Sequence, residues 1–192
     1  MPLRLFIAIE LDHPGKRAVG KLIDKIGRLP GRVRFVGPEQ MHLTLAFLGD
    51  VPAERVADIA AAMKRAAAGI DPFPFAIEGF GGFPDLRSPR VLWVGIAEPT
   101  GTLVRLQASL AGELAKVGFP PEERSFHPHI TLARAKELDR RTDYEQLLAP
   151  RRDFTGPEQM AEEMLLISSE LAPAGPTYAT VATVPLGAEK IG

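Results

Sequence analysis

His42-Leu43-Thr44-Leu45 returns, with one conservative change, as His129-Ile130-Thr131-Leu132 about half a chain later. Each tetrad alternates polar and apolar residues, the period-two pattern of a β-strand that buries one face. His42 and Thr44 then share the open face while Leu43 and Leu45 enter the core, and His129 and Thr131 do the same opposite Ile130 and Leu132. A chain that repeats such a strand must fold so as to use it twice, which points to two similar halves rather than a solenoid of many short repeats. The open pair in each copy is an imidazole, able to transfer protons near neutral pH, beside a hydroxyl able to donate a hydrogen bond. Two such strands brought face to face make an acid–base site.

Periodicity elsewhere sets the context of the two tetrads. Residues 3–9, 32–36 and 41–48 are predicted strands, and apolar residues at helical spacing predict a helix from Asp12 through Leu29 that stops at Pro30-Gly31. A second helix is expected over 52–68, two strands over 73–80 and 90–96, and a third helix over 103–117 that ends at Gly118. The second tetrad opens a strand over 129–134, followed by a short helix over 139–148 and two closing strands over 161–171 and 177–186 with a turn at 173–176. Each motif strand is thus followed by a helix and a strand pair. The glycines and prolines fall singly or in pairs as turn punctuation, so residues 1–192 are expected to form one domain.

Composition narrows the function classes. Lys+Arg 23 against Asp+Glu 24 gives a net charge of -1, which excludes a global positive field for long duplex nucleic acid but leaves room for recognition of one phosphate. With no cysteine there is no thiolate nucleophile, thiolate metal site or disulfide, and a reducing cytoplasm is the expected compartment. The opening MPLRLFIAIELD is too short to span a membrane and lacks a signal-peptide cleavage pattern. His127 precedes the second tetrad as His-Pro-His, yet no third ligand cluster follows, so a loop or core role is expected rather than metal binding. Trp93, on an alternating strand, reads as packing.

The paired His-x-Thr-x tetrads, within His42–Gly49 and Arg124–Leu132, resemble those of the 2H phosphoesterase superfamily. Arg4–Ile9, Arg90–Gly95, Ser169-Glu170-Leu171 and Tyr178 narrow the resemblance to its RNA 2',3'-cyclic phosphodiesterases, also called 2'-5' RNA ligase or LigT-like proteins. The resemblance implies a bilobal, pseudo-symmetric α+β fold with two mostly antiparallel sheets lining a central cleft and helices outside. It implies metal-independent hydrolysis of RNA 2',3'-cyclic phosphate ends to 2'-phosphate ends, with 2'-5' joining as a reverse reaction. No cofactor and no obligate protein partner are expected; the partners would be RNA ends such as tRNA halves, or cyclic nucleotides. His42 would be the proton donor and His129 the proton acceptor, although sequence symmetry alone lets either imidazole take either role. Thr44 and Thr131 would bind the phosphate, with Arg124 as a further charged donor. Hydrolysis of a small nucleotide such as ADP-ribose cyclic phosphate, or nucleotide binding without turnover, are the alternatives.

Overall fold

The computed structural model describes residues 2–172 and 175–187. Its elements run β1 (Leu3–Glu10), α1 (His13–Ile26), β2 (Arg32–Phe35), β3 (His42–Val51), α2 (Val56–Ala67), β4 (Phe73–Phe83), β5 (Val91–Ala97), α3 (Thr102–Lys116), β6 (His129–Glu137), α4 (Tyr144–Leu148), β7 (Thr155–Ala161), β8 (Glu163–Ala172) and β9 (Gly175–Pro185). The architecture is α+β. The strands form an antiparallel sheet in the order β7-β4-β5-β6-β3-β1-β8-β9, with β2 added alongside β6.

The two mostly antiparallel halves meet where β3 pairs with β6 at Leu43–Ile130, which makes them continuous. Both residues of that pair are fully buried, so the seam between the halves is also the centre of the core. Leu5, Ile7, Ile9 and Leu45 from one half and Val94 and Leu132 from the other join the same cluster, under the buried sides of α1, α2 and α3. The opposite face of the sheet carries a small second cluster of Phe6, Ala8, Leu165 and Ile167, against which Tyr178 packs. A sheet buried on one side by helices and only partly covered on the other presents an open face to ligands.

Local sequence accounts for most of these elements. The Asp12 side chain caps α1 by accepting from the Gly15 N–H at 2.7 Å, and Pro14 occupies the first turn, where its missing N–H costs nothing. The unexpected strand is β7, whose sequence TGPEQMA has little strand propensity. It lies at one end of the sheet, where Pro157 is tolerated, and its buried Gln159 accepts from the Asp12 N–H at 3.0 Å and so ties the strand to the start of α1. The short helix expected over 139–148 is confined to Tyr144–Leu148. Residues 173 and 174 of the expected turn lie outside the described set, while Gly175 and Pro176 already pair with Ala172 and Leu171. Among the described residues no helix is long and apolar enough to cross a membrane.

Candidate active site

The Leu43–Ile130 pairing dictates the site. In an antiparallel ladder the residues one step either side are also opposite, which sets His42 against Thr131 and Thr44 against His129. All four project from the face opposite the core, as the alternation of the tetrads predicts. The result is a square with histidines on one diagonal and threonines on the other. Diagonal neighbours across such a pair lie about 7–8 Å apart at the backbone, a separation that lets two imidazoles bracket one tetrahedral group.

The two rings are held differently. His129 places Nδ1 2.7 Å from the carbonyl oxygen of His127; a carbonyl only accepts, so Nδ1 carries the proton and Nε2 is left with a lone pair. Its ring packs edge-on against Phe83 at 5.1 Å, and Phe83 in turn contacts Trp93. His42 stacks on Phe6 at 4.7 Å and meets Tyr178 edge-on at 5.4 Å. Among the described residues neither ring nitrogen of His42 has a hydrogen-bond partner, and neither is sealed from solvent, so both are open to a ligand.

Burial depresses both imidazoles. His42 is lowered to about 4, chiefly by desolvation; Glu10 opposes that shift, while Arg134 and Lys16 reinforce it. Lys16 is ion-paired to Glu10 at 2.6 Å, which softens the influence of each. His129 is also lowered by desolvation, with the His127 carbonyl pulling it back up and the charges of His127 and Arg134 pushing it down. Burial thus favours the neutral form of both rings, whereas a proton donor paired with an acceptor calls for opposite states.

A β-bulge at the last residue of each tetrad adds residues that strict alternation hides. Opposite β1, Leu45 is the extra residue of β3, since Ala8 pairs with Thr44 and Ile7 with Ala46. Opposite β5, Leu132 is the extra residue of β6, since Trp93 pairs with Thr131 and Leu92 with Ala133. Each bulge turns the next odd step toward the open face, where Phe47 and Arg134 stand five residues after their respective histidines. Arg134 acts electrostatically on His42, His129 and Tyr178 alike, as a cation placed among them must.

Arg124 sits instead on the exposed segment between α3 and β6, and no described hydrogen bond or ion pair ties it to the square. Trp93, expected to be packing, is half-buried on the open face, its indole laid over Gly81, where a Cβ would overlap it. His127 reaches the site through its carbonyl, a role that no side-chain motif announces. Among the described residues no group of three or more His, Asp or Glu is placed to hold a metal ion.

A sheet of this topology with duplicated His-x-Thr strands at its seam defines a two-histidine phosphoesterase class. The model of the 2'-5' RNA ligase superfamily matches residues 24–170, and the chain belongs to that superfamily. It is 36% identical over 178 residues to an RNA 2',3'-cyclic phosphodiesterase of Methanothermobacter thermautotrophicus, covering 93% of this chain and 96% of the relative. A protein of the same name from Thermotoga maritima is 37% identical over 176 residues, covering 92% and 91%. Among solved structures, TT0787 of Thermus thermophilus superposes with a TM-score of 0.81 at 31% identity, covering 96% of this chain and 98% of that one. E. coli LigT complexed with 3'-AMP gives 0.78 at 28% identity, covering 97% and 99%.

Proposed function

We propose that the protein hydrolyses RNA 2',3'-cyclic phosphate ends to 2'-phosphate ends, with His42 and His129 as a proton-transfer pair. Relatives named RNA 2',3'-cyclic phosphodiesterase match it over nearly its full length. The observation that carries the chemistry is the square of His42, Thr131, Thr44 and His129 across the β3–β6 seam.

His129 enters the reaction neutral, its Nδ1–H held by the His127 carbonyl and its Nε2 lone pair turned to accept a proton from water. The resulting hydroxide attacks phosphorus, the P–O3' bond breaks, and a protonated His42 delivers its proton to the departing O3'. The phosphate stays on O2' and the 3'-hydroxyl is released. Thr44 and Thr131 donate to the non-bridging oxygens as charge builds on them, and the Arg134 guanidinium neutralises the same charge at longer range. Arg124 is a second candidate cation, for the RNA segment next to the reacting end. The proton-transfer steps call on no metal.

His42, whose burial disfavours the charged form, gains its proton because the substrate phosphate is an anion. The charge that must be bound is thus also the charge that arms the acid. RNA ends left by endonucleases, tRNA halves among them, are the proposed substrates, with the two halves of residues 1–192 acting as one domain in the cytoplasm. The test is turnover of 2',3'-cyclic AMP in EDTA by wild type, His42→Ala and His129→Ala. Loss of about 10²–10⁴-fold in kcat for each variant is expected, and a variant that keeps wild-type kcat overturns the pairing.

A further inference from the structure

A pocket of about 350 Å³ opens beyond Trp93, as counted from His129. One cross-strand row of the sheet leads to it: Thr131 on β6 pairs with Trp93 on β5, and Trp93 pairs with Gly81 on β4. Gly81 has no side chain, and a Cβ there would overlap the indole, so the Trp93 ring extends over β4 to the pocket. Ring contacts with His127 at 5.0 Å and His129 at 6.4 Å make the indole a wall between the pocket and the proton acceptor. His42 stands one strand beyond Thr131 in the other direction.

The pocket combines apolar walls with a fixed pair of cations. Phe80 and Leu86 line it together with Trp93, and the Arg87 and Arg152 guanidiniums meet over one carboxylate, at 3.1 and 2.8 Å from the two oxygens of Glu145. Each of these bonds uses a single nitrogen, so each guanidinium keeps further N–H donors. Asp85, the other carboxylate of the pocket, accepts from the Arg87 and Ser88 N–H groups of its own loop. Apolar walls, a few oriented polar groups and balanced charge suit a nucleoside that carries one phosphodiester, and the volume falls within the range of about 300–1,000 Å³ usual for small-molecule sites.

In the hydrolysis described above, the attacking and leaving oxygens stand on opposite sides of phosphorus. The ribose that keeps the phosphate is held on the His42 side by its departing O3', so what lies beyond His129 belongs to the nucleophile. Water needs no pocket. Resting on that hydrolase reading, we propose that the pocket receives the 5'-terminal nucleoside of a second RNA strand, whose 5'-hydroxyl takes the place of water, with Arg87 and Arg152 on that strand's first phosphodiester. His129 Nε2 takes the proton of the 5'-hydroxyl, O5' bonds to phosphorus as the P–O3' bond breaks, and His42 protonates O3', which leaves a 2'-5' linkage. One phosphodiester is exchanged for another, so no activated co-reactant is consumed.

The experiment supplies 2',3'-cyclic AMP as donor and a short 5'-hydroxyl oligonucleotide as acceptor, and measures joined against hydrolysed product in wild type, Arg87→Gln and Arg152→Gln. Each variant is expected to lower that ratio by about tenfold, through KM for the acceptor, while hydrolysis of 2',3'-cyclic AMP alone keeps the wild-type kcat. Trp93 is the sole tryptophan of the chain, so its fluorescence reads occupation of the pocket without turnover. The 5'-hydroxyl oligonucleotide should change that fluorescence, with half-saturation about tenfold higher in both variants. A product ratio unchanged in both variants, or a wild type that hydrolyses 2',3'-cyclic AMP but joins no strand, overturns the acceptor site. Variants that instead lose only hydrolysis of cyclic-phosphate-ended oligonucleotides place the donor strand in the pocket and overturn it equally. Failure of wild type to hydrolyse 2',3'-cyclic AMP overturns the hydrolase reading, and the fluorescence titration still decides what the pocket binds.

Discussion

Occupation of the site by a phosphodiester should raise the pKa of His42 from about 4 to about 6–7. The magnitude follows from one negative charge about 4 Å from the imidazolium. At the effective dielectric of a partly open site, near 20, that contact is worth about 4 kcal/mol, or about 3 pK units. Screening by solvent in the cleft trims the figure toward 2 units. The assay is NMR titration of ¹³C-labelled histidine in the His129→Ala variant, which should bind 2',3'-cyclic AMP without consuming it. A cyclic phosphodiester does not itself titrate near neutrality, so any movement of the His42 resonance belongs to the imidazole. A His42 pKa that moves by less than half a unit at saturation would mean that the phosphate does not sit against this ring, and the arming of the acid by its substrate would be refuted.

The same depressed pKa makes His42 a stability determinant. The unfolded chain binds its proton near pH 6.5 and the folded chain only near 4, so stability present above pH 6.5 is lost as the pH falls through that window, by up to about 3 kcal/mol. Urea unfolding at pH 7 and pH 4.5 should show that loss, and His42→Phe, which retains the stack on Phe6, should lessen it. Thr44→Val and Thr131→Val should each lower kcat by about 10²-fold with little change in urea midpoint, because each removes one donor to the developing charge. Arg134→Gln should raise KM for 2',3'-cyclic AMP by about tenfold, and Arg124→Gln should do so less or only on oligonucleotides, as measured by steady-state kinetics. Gly81→Ala should displace the Trp93 indole, shifting its fluorescence and costing about 1–3 kcal/mol in stability.

The square of His42, Thr44, His129 and Thr131 was legible in the sequence because it obeys the simplest rule of strands. Period two puts His42 with Thr44 and His129 with Thr131, and the duplication says that both strands serve one purpose. What alternation could not supply was the bulges. Leu45 and Leu132 look like ordinary core residues, and an unbroken count sends Phe47 inward with Leu43 and Arg134 inward with Ile130. The extra residue reverses both, so Arg134 stands on the open face with the two histidines, whereas Arg124 stays on an exposed segment.

Other features were hidden because they belong to pairing across the chain. Strand β7 exists through its ladder with β4 and the link from Gln159 to Asp12, against the propensity of its own residues. The merging of the halves into one sheet depends on a single pairing between residues far apart in sequence. The tautomer of His129 is set by a backbone carbonyl, which every residue possesses and no motif reveals.

The most direct measurement is phosphorus NMR of an RNA ending in a 2',3'-cyclic phosphate, incubated with the enzyme in EDTA at pH 7. Conversion of the cyclic signal to a terminal 2'-phosphate, abolished by either His42→Ala or His129→Ala, is the expected result. A 3'-phosphate product, or turnover that persists when either imidazole is gone, would show that the two histidines do not act on opposite sides of one phosphorus.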